Sequence, residues 1–87
     1  MQASIILEHL GGTRFQTLSK ARDFCYPRDG ITFRMVRKGV NRVEITTNGD
    51  RYTMIFFEGA AEIARAEVDV HQLQPTFVRH TGIELAM

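Results

Sequence analysis

Arg42-Val43-Glu44-Ile45-Thr46-Thr47-Asn48-Gly49-Asp50-Arg51-Tyr52-Thr53-Met54-Ile55-Phe56-Phe57 decides the fold. Val43, Ile45 and Thr47 alternate with Arg42, Glu44 and Thr46, the period of a strand with one buried face. Asn48-Gly49 is the strongest short hairpin signal, because both residues tolerate positive φ in a two-residue type I′ turn. Tyr52–Phe57 is apolar on both faces, which predicts an interior strand covered on each side. With Asn48-Gly49 as the loop, Thr47 stands opposite Asp50, Ile45 opposite Tyr52 and Val43 opposite Met54. The other face then sets Thr46 beside Arg51 and Glu44 beside Thr53, with Glu44 diagonal to Arg51.

Upstream of this hairpin, Ile31, Phe33 and Met35 alternate with Thr32, Arg34 and Val36 and predict a second half-buried strand. Arg37-Lys38-Gly39-Val40-Asn41 supplies the connecting loop, and Pro27 with Arg28-Asp29-Gly30 makes a turn before it. Thr13–Pro27 is open between short strands and an ordered loop crossing the sheet: Arg14–Leu18 alternates, and Asp23–Tyr26 is rich in aromatic residues. Ala3–Leu10 has a helical pattern that Ser4 can cap and Gly11-Gly12 stops.

Downstream, Ala60–Glu67 suits either a helix, by its alanines and glutamates, or an edge strand, by Ile63, Arg65 and Val68. Asp69-Val70-His71-Gln72 reads as a capping box. The helix after it places Val70, Leu73, Phe77 and Thr81 on one stripe. Pro75 tightens or kinks its first turn, Gly82 ends it, and Ile83 suits the apolar contact of a Schellman cap. The expected architecture is α+β: a short N-terminal helix, an antiparallel sheet of four or five strands, and a C-terminal helix packed on the sheet. Residues 1–87 form a single domain, with Phe33, Val43, Ile45, Met54, Phe56, Leu73 and Phe77 in its core.

At 87 residues the chain buries only about 60–65% of its unfolded surface, leaving little interior for a deep catalytic pocket. Cys25 is the one cysteine, so no internal disulfide forms and a reducing compartment is expected. The N-terminus lacks a basic flank and its apolar run Ile5–Leu7 stops at Glu8, so neither a secretory signal nor a membrane span is read there. Through Arg42 the chain carries eight basic residues against three acidic ones; from Val43 onward it carries three basic against seven acidic. Strand pairing is expected to interleave these halves and cancel much of the dipole.

Candidate chemistry is sparse. His71 and His80 lie about 900° apart around a helix, hence on opposite sides, and His9 has no ligand partner at metal spacing. Cys25, between Phe24 and Tyr26, reads as a small buried hydrophobe. No phosphate-loop spacing follows Gly11-Gly12. No metal site, cofactor or catalytic group is expected, and the chain reads as a non-enzyme. The constellation with chemical content is Arg34, Arg37, Lys38 and Arg42, clustered at one hairpin and its loop. Alternation turns Arg34 and Arg42 away from the buried face. Such a surface suits a protein partner or, with Phe33 on the same sheet, single-stranded nucleic acid.

Leu10-Gly11-Gly12-x-x-Phe15, Asp23-Phe24, Gly30-Ile31-Thr32-Phe33-Arg34, Asn41-x-Val43-x-Ile45, Tyr52 and the closing Leu73, Phe77 and Thr81-Gly82 together resemble short uncharacterised bacteriophage and prophage proteins. Pro75 departs from that pattern by interrupting a helix such proteins run unbroken. Every matching element is structural, so the resemblance implies a setting in the cytoplasm of a bacterial host and carries over no site residue. The expected function is non-catalytic binding of a protein partner, with nucleic-acid association through the basic hairpin as the alternative.

Overall fold

The computed structural model describes residues 6, 8–27, 30–35 and 39–83, with Asn48 by its backbone alone. Helical residues at Ile6 and 8–10 lead through Gly11 into helix α1, Gly12–Ser19. Five strands follow: β1 Arg22–Cys25, β2 Gly30–Arg34, β3 Arg42–Asn48, β4 Arg51–Glu58 and β5 Ala61–Val68. A 3₁₀ turn over Val70–Gln72 then opens helix α2, Leu73–Thr81. The strands form one antiparallel sheet in the order of the chain. The α+β architecture expected from the sequence is therefore the observed one, with five strands rather than four.

Inward-facing Ile31, Phe33, Val43, Ile45, Met54 and Phe56 pack with Ile6, Leu10, Phe15, Leu73 and Phe77 into one core, and each of these side chains is at most 1% exposed. All seven residues expected in the core lie within it. Both helices therefore dock on a single face of the sheet, and no described helix covers the other.

Arg14–Leu18 is helical, not extended. Its apparent alternation misleads because α1 docks mainly through Phe15, whose ring meets Phe33 and Phe77 edge to face at 5.3 and 5.2 Å. The helix thus shows no broad apolar stripe. The two helices also end alike. Ser19 Oγ donates to the Phe15 carbonyl at 2.7 Å and accepts from the Ala21 N–H; Thr81 Oγ1 donates to the Phe77 carbonyl at 2.7 Å and accepts from the Ile83 N–H. Each buried hydroxyl is satisfied twice, as burial of a polar group demands. Lys20 and Gly82 follow in left-handed conformation. Gly82 N–H bonds Val78 O at 2.8 Å, the simple left-handed cap rather than the Schellman pattern. The capping box forms as expected: Asp69 accepts from the His71 and Gln72 N–H groups, and Gln72 Oε1 accepts from the Asp69 N–H.

Two further expectations are corrected. The β3–β4 loop is Gly49-Asp50, because Asn48 pairs with Arg51; Ile45 stands opposite Met54 and Val43 opposite Phe56. Gly49, at φ 68°, is the first loop residue, the glycine position of a type II′ turn. The register gains a rung and sets Arg42 against Phe57, while a shift of two residues leaves every side chain on its own face. In addition, the basic and acidic halves do not interleave. A sequential meander keeps β1 and β2, with Arg42 at the head of β3, on one side of the sheet, and the rest of β3 with β4 and β5 on the other. Ala60–Glu67 resolves as the edge strand β5 and its preceding turn.

Candidate functional site

Because directly paired residues share a face, the register lays out the uncovered side of the sheet in rows. One row runs Arg22, Arg34, Arg42, Phe57, Glu62 across all five strands; the next runs Cys25, Thr32, Glu44, Ile55, Arg65. Arg34 and Arg42 project from this face, as alternation predicts. Arg37 and Lys38 lie outside the described residues. Arg22 joins the row through a β-bulge in β1: Asp23 adopts φ 56°, Phe24 turns inward to meet Phe33 at 5.6 Å, and Cys25 returns to the outer face. Cys25 is exposed, so the expectation of a buried thiol is overturned; the extra bulge residue inverts the alternation that would have buried it.

Three arginines directly opposite one another on neighbouring strands, about 4.8 Å apart, repel unless an anion sits nearby. Arg22 lies 3.9 Å from Asp23, with both side chains largely exposed. Arg42 lies 3.5 Å from Glu44, and its guanidinium carbon sits 4.1 Å from the centroid of the Phe57 ring. That cation–π contact orders the head group. Arg42 Nε is buried without a hydrogen-bond partner among the described residues. Arg34 is exposed and has no carboxylate partner among the described residues.

β4 is an interior strand, but it is not covered on both sides as expected. Its outer residues Thr53, Ile55 and Phe57 are half-buried, with Arg42 lying over Phe57. Among the described residues, the Arg42 guanidinium rather than a second layer covers the Phe57 ring. On β5 a bulge opposite Phe56 and Phe57 brings Glu62 and Arg65 to one face, where they form two hydrogen bonds of 3.0 and 3.1 Å. That hydrogen bond first, opposed by desolvation and aided by the arginine's charge, holds the Glu62 carboxyl below its ordinary range and raises Arg65.

At the end of the arginine row, Arg34, Asn41, Arg42, Gly59 and Ala60 line a shallow pocket of about 310 Å³. Asn41 closes the strand ends: its N–H bonds Phe57 O at 2.9 Å, and its Oδ1 accepts from Gly59 N–H at 3.0 Å. Sequence reading missed Arg22, Asn41 and Phe57. Only Phe57 left a signal, as an apolar residue on the wrong face of its strand.

The histidines are engaged separately. His9 Nδ1 lies 3.4 Å from Tyr52 Oη. His80 stacks on Phe56 with ring centroids 4.5 Å apart, and its Nδ1 donates to Thr76 O at 3.0 Å. Among the described residues no group of three His, Cys, Asp or Glu is placed to hold a metal ion, and no helix is long and apolar enough to cross a membrane. Comparison of the chain with protein-family models, with curated proteins and with solved structures gives no match.

Proposed function

We propose that this chain is a non-catalytic binding protein that receives a protein partner on the uncovered face of its sheet, in a bacterial cytoplasm as the phage-type resemblance implies. The observation that carries the reading is Arg42 held over Phe57, with half-buried Ile55 on the same strand face. Arginine and aromatic residues dominate the energetics of protein interfaces. A head group ordered before binding loses less freedom when the partner arrives. Glu44 and Glu62 lie on the same face, giving the mixed charge of a protein-docking surface rather than a uniformly basic track.

One observation favours nucleic acid as the second reading: the cross-strand row Arg22, Arg34, Arg42. Affinity capture from bacterial lysate separates the two. A protein retained by the wild-type chain after nuclease treatment, and lost with Arg42→Ala of unchanged melting midpoint, supports the protein reading. Retention of nucleic acid alone, abolished by nuclease, transfers the assignment to the second.

A further inference from the structure

We propose that the pocket between Arg34, Arg42 and Asn41 seats a single, isolated side-chain carboxylate of the protein partner. The inference rests on the protein-partner reading and specifies its chemistry.

Two of the arginines on this face pair with carboxylates of the chain itself. Arg65 holds Glu62 through two hydrogen bonds, and Arg42 has Glu44 at 3.5 Å. Arg34, directly opposite Arg42 on β2, lacks such a partner among the described residues, so the row carries one uncompensated guanidinium.

The lining of the pocket is one-sided in its chemistry. Arg34 and Arg42 are donors only, and Asn41 Oδ1 is occupied by Gly59 N–H, which leaves the Asn41 Nδ2 group as a donor. No carboxylate is among the described lining residues. A positively charged recess whose two charged side chains can only donate fits an oxyanion, and a guanidinium fork matches a carboxylate in bidentate geometry.

The surroundings decide which oxyanion. Glu44 lies within 3.5 Å of Arg42, and Glu62 stands across from Phe57 in the same row. A phosphodiester chain, charged at every unit, would meet both carboxylates as it crossed the strands. An isolated carboxylate on a peptide can enter between them.

Fluorescence anisotropy tests the seat, using a short labelled peptide with one central Glu as its acidic residue, its Gln counterpart, and a single-stranded oligonucleotide of matched length, all at low salt. The acidic peptide should bind and its amide counterpart should not. Arg34→Gln should weaken binding about tenfold, the effect of one charge-assisted hydrogen bond, with an unchanged melting midpoint because Arg34 is exposed. Arg34→Lys should restore only part of the loss, since an ammonium lacks the fork. Absence of peptide binding, binding indifferent to Arg34→Gln, or tighter binding of the oligonucleotide would each overturn the proposal. If Arg34→Gln retains the captured protein partner while Arg42→Ala loses it, the seat falls and the protein-partner reading stands.

Discussion

Phe15 and Phe77, from helices at opposite ends of the chain, meet edge to face with ring centroids 5.2 Å apart, and both rings are fully buried. Their contact locks the helical layer over Phe33, which each ring also touches. Phe77→Ala should cost roughly 3–5 kcal/mol, a large share of the ~5–15 kcal/mol that holds a small domain together. A double-mutant cycle of Phe15→Leu with Phe77→Leu, followed by urea denaturation, should return a coupling of about 0.5–1.5 kcal/mol. Additive effects would mean that the helices dock independently.

Gly30 opens β2 opposite Thr46 where the backbones approach closely. A Cβ there would collide with the Ile45 carbonyl oxygen and stand 2.9 Å from Thr46 Cα. Backbone cannot swing aside as a flexible side chain can, so Gly30→Ala should destabilise by roughly 1–3 kcal/mol or more. The shift in urea midpoint measures it; an unshifted midpoint would contradict the close approach.

The β3–β4 turn makes a different demand. Nothing lies within 4 Å of a Cβ placed on Gly49, whose φ is 68°, so only conformation opposes a side chain. Gly49→Val should cost about 1–2 kcal/mol without altering the pairing. Cross-strand NOEs should join Ile45 to Met54 rather than Tyr52 and persist in the variant.

Glu62 offers a pH signature. Its carboxyl is held below the ordinary value of 4.5, chiefly by the hydrogen bond from Arg65. A carboxyl that titrates lower in the folded than in the unfolded chain stabilises the fold above the unfolded value and loses that contribution as pH falls through the lowered one. The pair is exposed, so the effect is small and screened by salt. NMR titration should find Glu62 depressed in the wild type and returned upward in Arg65→Gln; an identical value in both would exclude the pair from solution.

The sequence made the strand faces legible because period-two alternation depends on neither register nor topology. Phe33, Val43, Ile45, Met54 and Phe56 could be assigned inward without knowing their partners. Register was less legible, since Ile45 reaches the core whether Tyr52 or Met54 faces it. The α1 helix and Cys25 were misread for local reasons: a helix docked largely through Phe15 leaves little periodic trace, and the residue that inverts β1 is Asp23, whose left-handed backbone has no obligatory sequence sign. The outward direction of Arg34 and Arg42 could be derived. Their company with Arg22, Phe57 and Asn41 could not, because it depends on pairings among four strands.

The sequential order of the five strands has a kinetic consequence. Each strand pairs with its neighbours in the chain, and the β3–β4 and β4–β5 connections are Gly49-Asp50 and Gly59-Ala60. Short loops close at little entropic cost, and contacts local in sequence favour rapid folding. The meander can therefore zip outward from these two turns before the terminal helices arrive. Stopped-flow measurements should show Val43→Ala slowing refolding and Phe77→Ala chiefly accelerating unfolding. The reverse pattern would place the union of the chain's two ends, rather than the hairpins, at the barrier.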